Sequence, residues 1–333
     1  MPSADPKTEQ LAALWELVAL AEGATVLPDL PTTRPAEGET RERWIEEVVR
    51  RRSQHEANAL ESYRRSGASG RIAHPVASAT YHAVPVKDGV ITVRVYKPEG
   101  DGPHPALALL HGGAWWLGAG PTNFELNDLM CRYLCAEAGT VIANVDYRLA
   151  PEHPWPTQVE DSAAAVAWLA ADPDGIGIAA DRLGILGISS GGNVAACVTR
   201  LLRATGPTLK MQVLLAPSLD MTGSSESLAQ DGFMPQIAAV LRDQYLQGQV
   251  EPGDPRVSPV LADDLDDLPP AVIVVGSEDP LRDDGKRYHA RLQAFGGSSE
   301  LHEFVMTHTV ATDDVVDALY SMLAKAIRSH LAG

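Results

Sequence analysis

The sequence predicts an α/β protein: a mostly parallel central sheet with helices on both faces. Two observations support this. From about Thr80 onward, short apolar runs alternate with helical segments, and most of those runs are nearly continuous in apolar residues, as strands buried on both faces are. With 333 residues, 45% of them hydrophobic, the chain is long and apolar enough for a sizeable core.

The elements follow in order. Leu11, Leu14, Trp15 and Val18 recur at helical spacing, so residues from Gln10 to about Glu22 read as an amphipathic helix. The Pro-rich stretch "LPDLPTTRPAEG" breaks it, and a heavily charged helical stretch runs from about Glu39 to Arg65. These helices precede any strand pattern, which sets residues 1–75 apart from 76–333. "YHAVPV", the turn Lys87-Asp88-Gly89 and "ITVRVYKP" form a hairpin pattern. "PALALLHGG" is a strand ending in glycines, "FELNDLMCRYLCAEAG" a helix with a glycine stop, and "TVIANVDY" a strand. The helix "QVEDSAAAVAWLAAD" leads to the strand "RLGILGIS" and the helix "GGNVAACVTRLLRATG". "KMQVLLAPSL", "PAVIVVGSED" and "SELHEFVM" are strands, "DDGKRYHARLQAFG" is a helix before the last of them, and "TDDVVDALYSMLAKAIRSHLA" closes the chain.

Charge and cysteine usage exclude several functions. A formal charge of −17 argues against nucleic acid and against an anionic membrane surface, both of which need clustered Lys and Arg. The N-terminus has no basic start followed by a long apolar run, and "LAALWELVALA" is interrupted by Glu16 and too short to span a bilayer. The protein is therefore expected to be cytoplasmic, without a membrane span. Three cysteines suit no disulfide framework; Cys131 and Cys135 share a helix face, but no nearby His or Cys completes a metal site, so buried thiols are expected. No metal or cofactor is expected.

In an open α/β sheet, ligands bind beyond the carboxyl ends of the strands. The residues to weigh are thus His111 to Gly113, Asp146-Tyr147, Ser189, Ser277 to Asp279, and His308. Gly187-Ile188-Ser189-Ser190-Gly191 lies between a strand and an Ala-rich helix, the setting of a nucleophile elbow. Ser189 has glycine at both −2 and +2, whereas Ser190 has Ile188 at −2, so Ser189 is the candidate nucleophile. A serine needs a base, and the base needs an orienting group. Asp279 and then His308 follow, each just past a strand and in the order Ser, Asp, His. "HGGAWW" offers the amides of Gly112, Gly113 and Ala114 to a developing oxyanion, and Ser190 offers another at the start of the elbow helix. Trp115, Trp116, Phe233 and Met234 are expected to shape the pocket. Asp146, Tyr147, Arg148 and Glu152 read as a buried structural network.

These motifs resemble the hormone-sensitive-lipase-like branch of the α/β-hydrolases, which includes bacterial carboxylesterases. The resemblance runs from about Thr80 to the C-terminus and rests on "HGGAWW", "VDYRLAPEHPWP", "GISSGG" and "DPLRDDG". It implies Ser189 as nucleophile, Asp279 as orienting acid and His308 as base. It also implies Gly113, Ala114 and Ser190 as oxyanion donors, and N-terminal helices within residues 1–75 capping the pocket, a cap that residues 221–250 are expected to join. The chain departs from the family at Ile188 and Ser190, at Ala114 in place of a third glycine, and at Thr309-Val310 where Gly-Phe is usual. Ala114 is tolerable there if its φ is negative, because the donor is the backbone amide and not the side chain, and Val310 is expected to shape the pocket beside His308. The expected activity is hydrolysis of a small-molecule ester. A lactonase, an amidase or arylformamidase, or a non-catalytic ligand receptor on the same fold are the alternatives, and a homodimer is left open.

Overall fold

The computed structural model describes residues 33–65, 74–231 and 234–332. The helix expected over residues 10–22, and Phe233, lie outside the described residues. The hairpin forms as β1 (Ser78–Val86) and β2 (Gly89–Lys97), with Val86 paired to Gly89. Lys87 and Asp88 make the two-residue turn, and Asp88 takes the positive φ that such tight turns require. The remaining strands are β3 (His104–Leu110), β4 (Val141–Asp146), β5 (Ile178–Ile188), β6 (Leu209–Leu215), β7 (Ala271–Gly276) and β8 (Ser299–Phe304). All eight join one sheet in the order β1-β2-β4-β3-β5-β6-β7-β8. The two pairings of β2 are antiparallel, and every pairing from β4 to β8 is parallel.

The apolar texture of the strands sorts them within the sheet. Every residue of β7 is buried, as is nearly every residue of β3, β4 and β6, whereas the edge strands β1 and β8 are mostly half-buried or exposed. Alternation along β3 sends Ala106, Ala108 and Leu110 to one face and Leu107 and Leu109 to the other. On the first face lie α4 (Thr157–Ala171), α5 (Ser190–Thr205) and α8 (Arg282–Ala294), contributing Val166, Val194, Val198 and Tyr288. On the second lie α3 (Asp128–Ala138) and α9 (Asp313–Leu331), contributing Leu134, Leu323 and Ile327. Cys131 and Cys135 are free thiols buried on the core face of α3. Burial pushes the Cys135 thiol up to about 12, so it stays protonated at neutral pH.

The stretch expected as one helix from Phe124 is two, α2 (Pro121–Leu126) and α3. Asn127 sits between them, its Nδ2 donating to the carbonyl and side-chain oxygens of Asn123 at 3.1 and 3.0 Å. Such local side-chain bonds compete with helix continuation. α3 stops at Gly139, which is left-handed at φ 63. The charged N-terminal stretch forms α1 (Arg41–Arg65), and residues 221–250 include α6 (Glu226–Gln230) and α7 (Met234–Leu246). Among the described residues no helix is long and apolar enough to cross a membrane.

Candidate active site

The site is built where β5 turns into α5. Ser189 holds φ 55 and ψ −116, a conformation side chains rarely adopt. The flanking glycines make that turn feasible. A Cβ on Gly187 would lie 2.1 Å from the Gly191 carbonyl oxygen, and one on Gly191 would lie 2.3 Å from that of Leu110. No side chain fits either gap, so the elbow packs directly against the end of β3. The Ser189 amide donates to Leu215 at 2.8 Å, fixing the turn against β6 as well.

Two further loops bring their side chains to Ser189. The segment after β7 pairs with the one after β8: Ser277 N donates to Phe304 O at 2.8 Å and Glu278 N to Met306 O at 3.1 Å. This closure sets Asp279 against His308. His308 Nδ1 lies 3.0 Å from each carboxylate oxygen of Asp279, and its Nε2 lies 2.9 Å from Ser189 Oγ. Asp279 is 2% exposed, and its Oδ1 also accepts from the Leu281 amide at 2.8 Å. An ionised carboxylate only accepts, so Nδ1 carries the ring proton and Nε2 is left to accept the Ser189 hydroxyl. The three residues singled out from separate strand ends are thus brought together in a triad-like arrangement. Two other histidines of this half of the chain bond elsewhere: His302 on β8 faces Glu300 at 3.3 Å, and His289 on α8 bonds Ser299.

The loop after β3 supplies amides. Gly113, Ala114 and Trp115 have φ of 120, 52 and 63, three successive left-handed residues. The amides of Gly113, Ala114 and Ser190 donate to none of the described residues, and all three residues border the same cavity as Ser189 and His308, together with Gly112. Buried His111 is held neutral, its pKa lowered to about 4 by desolvation. Its Nδ1–H donates to Gly112 O at 2.6 Å, and its ring stacks on Tyr147 at 4.2 Å. Tyr147 donates its hydroxyl to His111 O at 2.6 Å, while Asp146 accepts from the Gly120 amide at 2.8 Å. Burial pushes the Asp146 carboxyl up to about 6, and the nearby Glu56 adds to the shift. Arg148 forks onto buried Asp161 at 2.7 and 2.9 Å.

Ala114 does not meet the condition of a negative φ: its φ is 52. Its backbone is held left-handed because Trp116 N and Leu117 N both donate back to Gly113 O, at 3.1 and 2.8 Å, curling the loop. A left-handed alanine costs about 1–2 kcal/mol. Ala114→Gly is therefore expected to leave stability unchanged or raise it by up to about 1 kcal/mol, relief of strain offsetting the freer unfolded chain. The control Ala163→Gly, inside α4, is expected to lose about 1 kcal/mol. Thermal melts of the two variants check this, and an Ala114→Gly loss as large as the control's defeats it.

The cavity measures about 630 Å³. Trp115, Trp116 and Met234 border it; Val310 does not, and Thr309 does instead. The Val310 amide and carbonyl both close onto Thr307, at 3.0 Å each, so Val310 builds the turn that carries His308. Trp115 stacks on Tyr245 at 4.7 Å, and Trp116 packs on Trp44 and Val48 of α1. Sequence reasoning missed His55 from α1, and Ile237, Ala238 and Leu241 from α7. The signal for the α7 residues was present: Met234, Ile237, Ala238 and Leu241 follow i, i+3, i+4, i+7.

The chain is similar to known proteins in sequence and in fold. A family model described by the alpha/beta hydrolase fold matches residues 107–312. The carboxylic ester hydrolase LipN of Mycobacterium tuberculosis is 36% identical over 268 residues, covering 75% of this chain and 70% of LipN. Among solved structures, EstE1, a thermophilic and thermostable carboxylesterase cloned from a metagenomic library, is 34% identical with a TM-score of 0.76. That match covers 86% of this chain and 98% of EstE1. The hyperthermophilic esterase of the archaeon Pyrobaculum calidifontis is 31% identical, with a TM-score of 0.75 over 86% of this chain and 94% of that one.

Proposed function

The chain belongs to the α/β-hydrolase family, in its hormone-sensitive-lipase-like branch, and on that premise we propose that it is a serine carboxylesterase acting on small to medium acyl esters through an acyl-enzyme. The observation that carries the reading is the hydrogen-bonded run from Ser189 Oγ to His308 Nε2 and from His308 Nδ1 to Asp279, at 2.9 and 3.0 Å. His308 takes the Ser189 proton as Oγ attacks the ester carbonyl. Asp279 keeps the imidazole in the accepting tautomer and stabilises the imidazolium. The carbonyl oxygen, now negative, is held by the amides of Gly113, Ala114 and Ser190. His308 returns the proton to the departing alcohol, and water then attacks the acyl-enzyme with His308 again as base. The cavity's volume and its apolar wall from α7 support a small to medium acyl or alcohol group. α1 and α7 act as the cap over that cavity, α1 contributing His55 to its lining and α7 several residues.

A fluorophosphonate probe tests the reading. Intact protein is expected to gain one covalent adduct, mapped by peptide mass to Ser189. Protein that stays unmodified would instead be a ligand receptor on the same fold. Rates on p-nitrophenyl butyrate, a γ-lactone and an anilide of matched acyl length then define the bond type, with the ester expected to turn over fastest. A dominant rate on the lactone or the anilide would displace the carboxylesterase assignment.

A further inference from the structure

α1 does more than roof the cavity: we infer that Arg52 and Glu56 are positioning residues for the oxyanion hole, clamping the backbone of the loop that carries its amides. The inference rests on the reading of Gly113 and Ala114 as oxyanion donors. Arg52 and Glu56 stand four apart on α1 and so share a face of the helix. That face continues the apolar stripe of Trp44 and Val48, which packs against Trp116. The polar part of the face is aimed at backbone. Arg52 Nε donates to Trp116 O at 2.6 Å, and its Nη2 donates to Ala150 O at 2.7 Å. Glu152 accepts from the same guanidinium at 2.6 and 2.7 Å, so the fork is held in plane by a partner 100 residues away. One turn along, Glu56 Oε1 accepts from the Gly118 amide at 2.9 Å.

The clamp acts where the loop needs holding. Gly113, Ala114 and Trp115 are left-handed in succession, a backbone that persists only when its surroundings over-determine it. The core side fixes the loop's first residue through Tyr147 on His111 O, and its far end through Asp146 on Gly120 N. Ala150 N donates to Trp115 O at 2.9 Å. Arg52 and Glu56 hold the next stretch, Trp116 and Gly118, directly beyond the two donor amides. Arg52 ties that stretch and the Ala150 carbonyl to one planar group, so the 113–118 curl and the segment after β4 cannot move apart. Oxyanion donors must meet an atom that exists only in the transition state, and displacement of a reacting geometry by about 1 Å can cost about 100-fold.

The test uses full-length protein, with active sites counted by fluorophosphonate titration so that misfolded molecules drop out. In Glu56→Ala, kcat per titrated site on p-nitrophenyl butyrate is expected to fall about 10- to 100-fold with KM little changed. Affinity for a trifluoromethyl ketone, whose hemiketal oxygen occupies the hole, is expected to fall by a similar factor. Glu56→Gln keeps an acceptor for the Gly118 amide and is expected to restore most of both. Arg52→Lys keeps the charge beside Glu152 but cannot reach both carbonyls, and is expected to lose kcat in the same way. Wild-type kcat per site and wild-type ketone affinity in Glu56→Ala and Arg52→Lys overturn the inference, even if both variants melt earlier. A wild-type protein that neither labels nor turns over esters overturns the esterase reading and this inference with it.

Discussion

Ser189→Ala is expected to lower kcat on p-nitrophenyl butyrate by about 10⁴- to 10⁶-fold while leaving the fold intact. The reasons are local. Ser189 Oγ makes its hydrogen bond to His308 Nε2, and among the described residues no other hydroxyl bonds that nitrogen. Ser190 cannot substitute, because its side chain is buried, only 1% of the residue being exposed. What remains is the cavity and its amides, which accelerate the reaction over water by about 10³–10⁴ in triad enzymes lacking a member. Stability is expected to change by less than about 1 kcal/mol, since the substitution removes one polar contact from a strained, half-buried position. Initial rates and a thermal melt on the same preparation check both statements. Activity within tenfold of wild type would remove Ser189 from the mechanism.

The strand ends and their chemistry were legible in the sequence because each depends on a local pattern. Apolar runs such as "AVIVVG" can be buried on both faces only in a sheet interior, and β7 is so buried. The glycines at −2 and +2 of Ser189 mark a backbone contact too tight for a Cβ, and the distances from Gly187 and Gly191 bear that out. Tyr147 and Glu152 read as parts of a structural network, and both bond the segments around the loop after β3. What was not legible depends on tertiary placement. Arg52 stands in the run Arg50-Arg51-Arg52, and its neighbours pair with Glu47 on the same helix as solvated side chains do. Nothing local distinguishes Arg52, whose partner lies on the segment after β4. The φ of Ala114 is imposed by the curl of its loop, and the composition "HGGAWW" is compatible with either sign. Val310 looked like a pocket residue by its place after His308, but closing the turn onto Thr307 takes its backbone and brings Thr309 to the cavity instead.

Asp279→Asn carries the second large effect, and its direction follows from one amide. Oδ1 of Asp279 accepts from Leu281 N at 2.8 Å while both carboxylate oxygens face His308 Nδ1 at 3.0 Å. An asparagine has a single oxygen. To keep the Leu281 bond in this buried turn, that oxygen stays at the Oδ1 position, which leaves the NH₂ group at the position of Oδ2 and pointing at Nδ1. A donor there opposes the Nδ1 proton and favours the tautomer in which Nδ1 accepts and the ring proton sits on Nε2. Nε2–H then faces Ser189 Oγ as a donor, and the base is lost although each residue keeps its place. kcat is expected to fall by about 10⁴-fold, with the rate of fluorophosphonate labelling falling in parallel, since both need the Ser189 proton removed. A loss of less than about tenfold would mean that Asp279 does not set the tautomer. The double variant separates orientation from any independent contribution: residues acting as one unit are strongly non-additive. Ser189→Ala/Asp279→Asn is therefore expected to be no slower than Ser189→Ala, because once Oγ is gone the tautomer of His308 has no serine proton left to accept.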